Sequence, residues 1–167
     1  MTERLILITG GARSGKSTKA LSLAAPYSEN IFVATAQGLD DEMRARIDRH
    51  RVERGESWKT VEEPLDLARA MQVDPGAVAV VDCMTLWLSN AMTANIDIDR
   101  ALDDFISAAR RRRATVIVVT NEVGMGIVPM YESARRFSDL AGMTNQRMAA
   151  AADEVWLVVC GLGIQLK

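Results

Sequence analysis

The sequence predicts an α/β fold with a mostly parallel central sheet flanked by helices. Three observations carry the prediction. Five short apolar runs, most of them rich in Val and Ile, lack polar alternation, as strands buried on both faces do. Stretches with helical spacing lie between these runs. A glycine-rich loop joins the first run to the first helical stretch.

Residues 5–9 read as the first strand, and 17–25 as a helix leaving the glycine loop. Residues 31–34 read as the second strand. Residues 40–51 open on acidic side chains and close on basic ones, which complements a helix dipole. Residues 55–76 have the least regular pattern. Residues 78–81 read as the third strand. Residues 97–113 place Ile98, Leu102, Phe105, Ile106 and Ala109 at helical spacing. The run Arg110-Arg111-Arg112-Arg113 closes that helix as solvated cations that favour its carboxyl end. Residues 115–120 read as the fourth strand, 133–152 as a helix and 155–159 as the last strand. Met143, Met148 and Trp156 read as core.

The chain has 167 residues, 49% hydrophobic and 25% charged. That is the composition of an ordinary globular protein and the length of a single domain, residues 1–167. It excludes a disordered tail, a fibrous repeat and a disulfide-built mini-protein. A net charge of −2 provides no global basic field for nucleic acid. Cys83 and Cys160 have no metal-ligand spacing and read as buried or incidental thiols of a reducing compartment. The amino terminus has no cleavable leader pattern, and no apolar run reaches the roughly 18 residues of a membrane span. The expected setting is the cytoplasm, with no membrane span.

Gly10-Gly11-Ala12-Arg13-Ser14-Gly15-Lys16-Ser17 fits the phosphate-loop pattern Gly-x4-Gly-Lys-Ser, between a strand and a helix. Small residues let backbone N–H groups curl around a phosphate, and the helix amino terminus adds partial positive charge. Lys16 is expected to reach the β- and γ-phosphates, and Ser17 to ligate Mg2+. Val78-Ala79-Val80-Val81-Asp82 ends a strand in an acid, placed to hold Mg2+ opposite Ser17. These two elements specify a nucleoside triphosphate with Mg2+, but not what is done with the phosphate.

His50 is the sole histidine. Glu42, Arg46 and His50 share one helical face, at successive i, i+4 steps. Five arginines between Arg44 and Arg54 disfavour the imidazolium and also suit a polyphosphate. A neutral imidazole is a competent nucleophile toward phosphorus. The residues alone leave His50 open between that role and a solvated surface position. The loop Thr120-Asn121-Glu122-Val123-Gly124-Met125-Gly126-Ile127-Val128-Pro129 follows the fourth strand, where open α/β sheets bind ligands. It reads either as a ligand loop, with Met125 as an adaptable apolar contact, or as a plain connection.

Several stretches together resemble one family. They are the phosphate loop, Ala34-Thr35-Ala36-Gln37, Asp40-Asp41-Glu42-Met43 leading to Arg46-Ile47 and His50, the 120–129 loop, and Asn145-Gln146-Arg147 before Ala151-Ala152-Asp153-Glu154-Val155-Trp156. The chain is similar to the bifunctional adenosylcobinamide kinase/adenosylcobinamide-phosphate guanylyltransferases of cobalamin biosynthesis, over nearly its whole length. The resemblance implies a RecA-like phosphate-loop fold and a homotrimer. It implies ATP or GTP, adenosylcobinamide and adenosylcobinamide phosphate as substrates. It assigns His50 as the carrier of GMP, with Lys16 and Asp82 as the other catalytic residues. Some family members carry a histidine pair where this chain has Arg49-His50. The implied nucleotide contacts are the loop from Gly10 to Ser17, Thr35, Ala36, Gln37, Arg51, Val52, Glu53, Arg54, Glu62 and Asp82. Two alternatives remain: a simple small-molecule kinase with an inert His50, and a nucleotide switch or motor in which Glu122 positions water.

Overall fold

A seven-stranded sheet in the order β3-β2-β4-β5-β1-β6-β7 organises the described residues. Its strands are β1 Leu5–Thr9, β2 Asn30–Ala34, β3 Lys59–Glu62, β4 Val78–Asp82, β5 Val116–Val119, β6 Glu154–Val159 and β7 Leu162–Gln165. The helices are α1 Lys16–Ala24, α2 Asp41–Arg54, α3 Leu67–Ala70, α4 Met84–Thr93, α5 Ile98–Arg111 and α6 Glu132–Ala151. The computed structural model describes residues 3–55 and 57–167, and the backbone but not the side chains of Glu42, Arg46, His50 and Glu53.

All strand pairs are parallel except β6–β7, which is antiparallel. The central strands are buried on both faces, which explains their unbroken apolar runs. Ile6, Ile8, Val80, Ile117 and Val119 face α1 through Ala20 and Ala24. Leu5, Leu7, Val81, Val116 and Val118 face the opposite layer, which includes Leu67, Trp87, Leu88, Phe105 and Met148. The small residues of α1 let that helix lie close to the sheet and carry the phosphate loop over its edge.

Each expected strand and helix is present, with ends moved by no more than three residues. Asp97 caps α5 by accepting a bond from the Arg100 N–H, and Leu102, Phe105 and Ala109 form its buried face. Asp40 caps α2 in the same way through the Met43 N–H, at 2.7 Å. None of the described side chains of α2 is buried. That helix is polar nearly all round and attached by few apolar contacts.

Four expectations need correction. Residues 55–76 contain an edge strand, β3, and a short helix, α3. Helix α4 and strand β7 also lie where no element was read. Met143 is exposed, whereas Met148 is fully buried and Trp156 half-buried. Arg112 is not solvated. It is 3% exposed, and its guanidinium donates to the carbonyls of Met71, Val73, Asp74 and Ala77. Burial pulls its pKa down, with Asp74 opposing. This cation satisfies a whole turn of backbone acceptors between α3 and β4.

Candidate active site

The sheet register aligns the candidate residues along one edge. Glu62 pairs with Ala34, Ala34 with Asp82, Asp82 with Val119, and Val119 with Ile8. The carboxyl ends of β3, β2, β4, β5 and β1 therefore face the same way. This is where a ligand of an open α/β sheet binds.

The phosphate loop leaves β1 through Gly10, at φ +148°. A Cβ on Gly10 would collide with the Val158 carbonyl oxygen of β6. Gly15 sits at φ +98° as the N-cap of α1, with no side-chain cap. The first-turn N–H groups of α1 are thus left for an anion. Two neighbours brace the loop: the Gly161 N–H donates to the Ser14 carbonyl at 2.8 Å, and the Glu122 N–H donates to the Gly10 carbonyl at 3.0 Å. The buried Lys16 ammonium donates to the Gly11 carbonyl at 2.6 Å. It lies folded over the loop whose phosphates it is expected to neutralise.

The Ser17 hydroxyl donates to Asp82 Oδ2 at 2.7 Å. Two motifs 65 residues apart thus meet at one point. Their hard oxygen donors fit a divalent cation bound together with a nucleotide's phosphates.

Thr35 is fully buried just beyond β2. Its hydroxyl donates to the Cys83 carbonyl at 2.9 Å and accepts from the Cys83 N–H at 2.8 Å. It fixes the chain directly after Asp82, where the Asp82–Cys83 peptide is cis. Ala36 and Gln37 continue this segment toward α2, and Asn90 donates to the Thr35 carbonyl. Burial pushes the Cys83 thiol up, and the charge of Asp82 adds to the effect.

At the far end of α2, the Arg54 guanidinium stacks 3.6 Å from the centre of the Phe32 ring. Phe32 in turn meets Trp58 edge-on. Burial lowers the Arg54 pKa, and attraction to Asp82 opposes this. Arg54 therefore lies within the electrostatic reach of Asp82. Arg51 and Val52 are exposed in that turn, and Glu62 is exposed at the end of β3. The His50 and Glu53 side chains, and the face shared by Glu42, Arg46 and His50, lie outside the described residues. The backbone places His50 one helical turn before Arg54.

One polar network was not anticipated as a site feature. The Thr120 hydroxyl donates to Asn145 Oδ1 at 2.7 Å, and Asn145 Nδ2 donates to the Asn121 carbonyl at 3.1 Å. Asn121 Nδ2 donates to Thr85 Oγ1 at 2.7 Å, and Thr85 touches Cys83 Sγ at 3.1 Å. The network ties α6 to the ends of β5 and β4. Its sequence signal was Asn145 on the helical face of Ala141 and Met148, both buried. Glu122, the candidate water-positioning acid, accepts the Gly124 N–H at 2.6 Å and so shapes its own loop.

With this geometry in view, the comparisons are specific. Residues 6–166 match the family described as cobinamide kinase / cobinamide phosphate guanyltransferase. The chain belongs to this family. It is 43% identical to the bifunctional adenosylcobalamin biosynthesis protein CobU of Escherichia coli (strain K12), covering 98% of this chain and 99% of that one. It is 40% identical to the bifunctional adenosylcobalamin biosynthesis protein CobP of Pseudomonas aeruginosa, covering 96% of each. Among solved structures, the KaiC-like protein PH0186 of Pyrococcus horikoshii OT3 superposes with a TM-score of 0.51 at 16% identity, over 92% of this chain and 70% of that one. The likeness bears out the RecA-like P-loop architecture. No described helix is long and apolar enough to cross a membrane.

Proposed function

We propose that this protein phosphorylates the aminopropanol hydroxyl of adenosylcobinamide and then converts the product to adenosylcobinamide-GDP. The reading is carried by full-length family membership joined to the Ser17–Asp82 contact at the phosphate loop. In the first reaction, the acceptor oxygen attacks the γ-phosphorus of ATP or GTP, and a nucleoside diphosphate leaves. Lys16 and the loop amides stabilise the charge on the transferring phosphoryl group. Asp82 accepts the hydroxyl proton or orients the metal. Ser17 and Asp82 would hold Mg2+, which would neutralise charge on the phosphate oxygens.

In the second reaction, the His50 imidazole attacks the α-phosphorus of GTP and pyrophosphate leaves. The phosphoramidate retains much of the anhydride's transfer potential. A phosphate oxygen of adenosylcobinamide phosphate then attacks that phosphorus, and the imidazole is released. Few apolar contacts hold α2, so bringing His50 to the phosphate loop breaks little packing. Nucleotide contacts by Thr35, Ala36, Gln37, Arg51, Val52, Glu53, Arg54 and Glu62 belong to the same reading, as do a single domain over 1–167, a homotrimer and a cytoplasmic setting.

The test is a two-stage turnover followed by mass spectrometry. With ATP alone, adenosylcobinamide gains one phosphate; added GTP then extends it by GMP. Nucleotide binding with no phosphorylated corrinoid would overturn the assignment.

A further inference from the structure

We propose that the loop between β5 and α6 is the surface on which the corrin ring of the acceptor lies, with Met125, Ile127, Val128, Met130 and Tyr131 as its contacts. This rests on the cobinamide reading and names the residues that reading leaves unassigned.

From Val123 to Tyr131 the chain has no charged side chain. Yet Ile127 is 99% exposed, Met125 83%, Met130 82%, Val128 75% and Tyr131 72%. Single exposed apolar residues are ordinary, but a contiguous run of them marks a surface that binds something. This run is also held in place. Its root is fixed by the Asn145 network and by the Glu122 N–H on the Gly10 carbonyl. Its far end is held by Arg135, whose guanidinium donates to the carbonyls of Pro129 and Met130 at 3.1 and 2.7 Å. The backbone is tied down while the side chains point to solvent.

Position and charge select the occupant. The loop starts beside the first glycine of the phosphate loop, so whatever lies on it is next to the transferred phosphoryl group. Across β4 in the strand order, the site is flanked instead by α2, with Arg49 and Arg51 exposed. The cationic flank suits phosphates and the apolar one does not. The acceptor is a broad macrocycle whose rim carries methyl groups among its amide side chains, with its reactive hydroxyl on a short arm. That arm must reach the γ-phosphate while the ring lies nearby, and the apolar ledge is the matching surface. Methionines adapt well to such an irregular face.

The experiment uses the full chain and two variants, Met125→Ser/Ile127→Ser and Ile127→Asp, with folding checked by circular dichroism. Affinity for adenosylcobinamide is measured by equilibrium dialysis in the presence of a non-hydrolysable ATP analogue. We expect the corrinoid Kd to rise about tenfold or more. The analogue's own Kd and the sedimentation coefficient stay unchanged. An unchanged corrinoid Kd would overturn the proposal. So would a loss of affinity that accompanies a change in assembly state, since the loop would then be an interface between copies of this chain. Parent protein that binds the analogue but no corrinoid would instead overturn the functional reading itself.

Discussion

Alanine at three glycines of the phosphate loop should have three different effects. At Gly11 a Cβ meets no atom within 4 Å, and φ is not positive. Gly11→Ala should stay within about 1 kcal/mol of the parent, with the stiffer unfolded chain favouring the variant. At Gly15, φ is +98° and the Cβ comes within 3.1 Å of Gly161 Cα. The left-handed backbone costs about 1–2 kcal/mol. The close approach adds to it, because the Gly161 N–H is bound to the Ser14 carbonyl and resists moving. Gly15→Ala should therefore cost about 2–3 kcal/mol. At Gly10, φ is +148° and the Cβ collides with a carbonyl oxygen in the interior of the sheet. Backbone strain of about 1–3 kcal/mol and overpacking of about 1–3 kcal/mol combine to roughly 2–6 kcal/mol. Urea unfolding measures the three values, and titration with a fluorescent GTP analogue follows the phosphate cradle. Affinity should fall in the order Gly11→Ala, Gly15→Ala, Gly10→Ala. A Gly10→Ala variant as stable as Gly11→Ala would refute the loop geometry.

Replacing Arg112 with Met leaves four backbone carbonyls without their buried donor and should cost about 3–5 kcal/mol in urea unfolding. Asn145→Ala removes the link between α6 and the ends of β5 and β4. Stability should fall by about 1–3 kcal/mol and kcat for the kinase step by more than nucleotide affinity, whereas Asn145→Asp, which keeps the acceptor for Thr120, should recover part of kcat. Glu63 is buried, which by itself raises its pKa, but the N–H groups of Asp66 and Leu65 and the Arg69 guanidinium hold it below 4.5. A depressed carboxyl stabilises the fold above its unfolded value and loses that contribution as pH falls through its folded value. The stability difference between parent and Glu63→Gln should therefore be largest at neutral pH and shrink as the pH falls, as read by unfolding at about pH 7 and about pH 3.

The legible parts of the fold are those where local pattern and tertiary role coincide. The strands β1, β4 and β5 are buried on both faces, so their apolar runs are unbroken. Helix α5 carries both an N-cap and a clear buried stripe. The missed elements lack such coincidence. Strand β3 is a half-exposed edge, Lys-Thr-Val-Glu, whose pairing is specified by β2 rather than by its own residues. Helix α4 is apolar on several sides because it is wedged into a core layer, so it shows little periodicity. Strand β7 is exposed along its length and forms only because it pairs with β6. Arg112 was misread because a run of four arginines looks uniformly solvated, and nothing local shows which one folds inward. In the site, the phosphate loop and Asp82 were legible because a chemical requirement fixes their residue types. Thr35 was placed by resemblance, and its grip on Cys83 depends on a contact 48 residues away. Asn145 carried a visible sign, a polar residue on an apolar helical face, but its partners, Thr120 and Asn121, come from the tertiary fold.

The central claim, a guanylylated histidine, is tested most directly by covalent labelling. The protein is incubated with Mg2+ and GTP labelled at the α-phosphate, then denatured, with γ-labelled GTP and the His50→Ala variant in parallel. The account predicts acid-labile, base-stable label retained from the α position only and absent from the variant. Denatured protein free of label, under conditions where GTP binds, would contradict it.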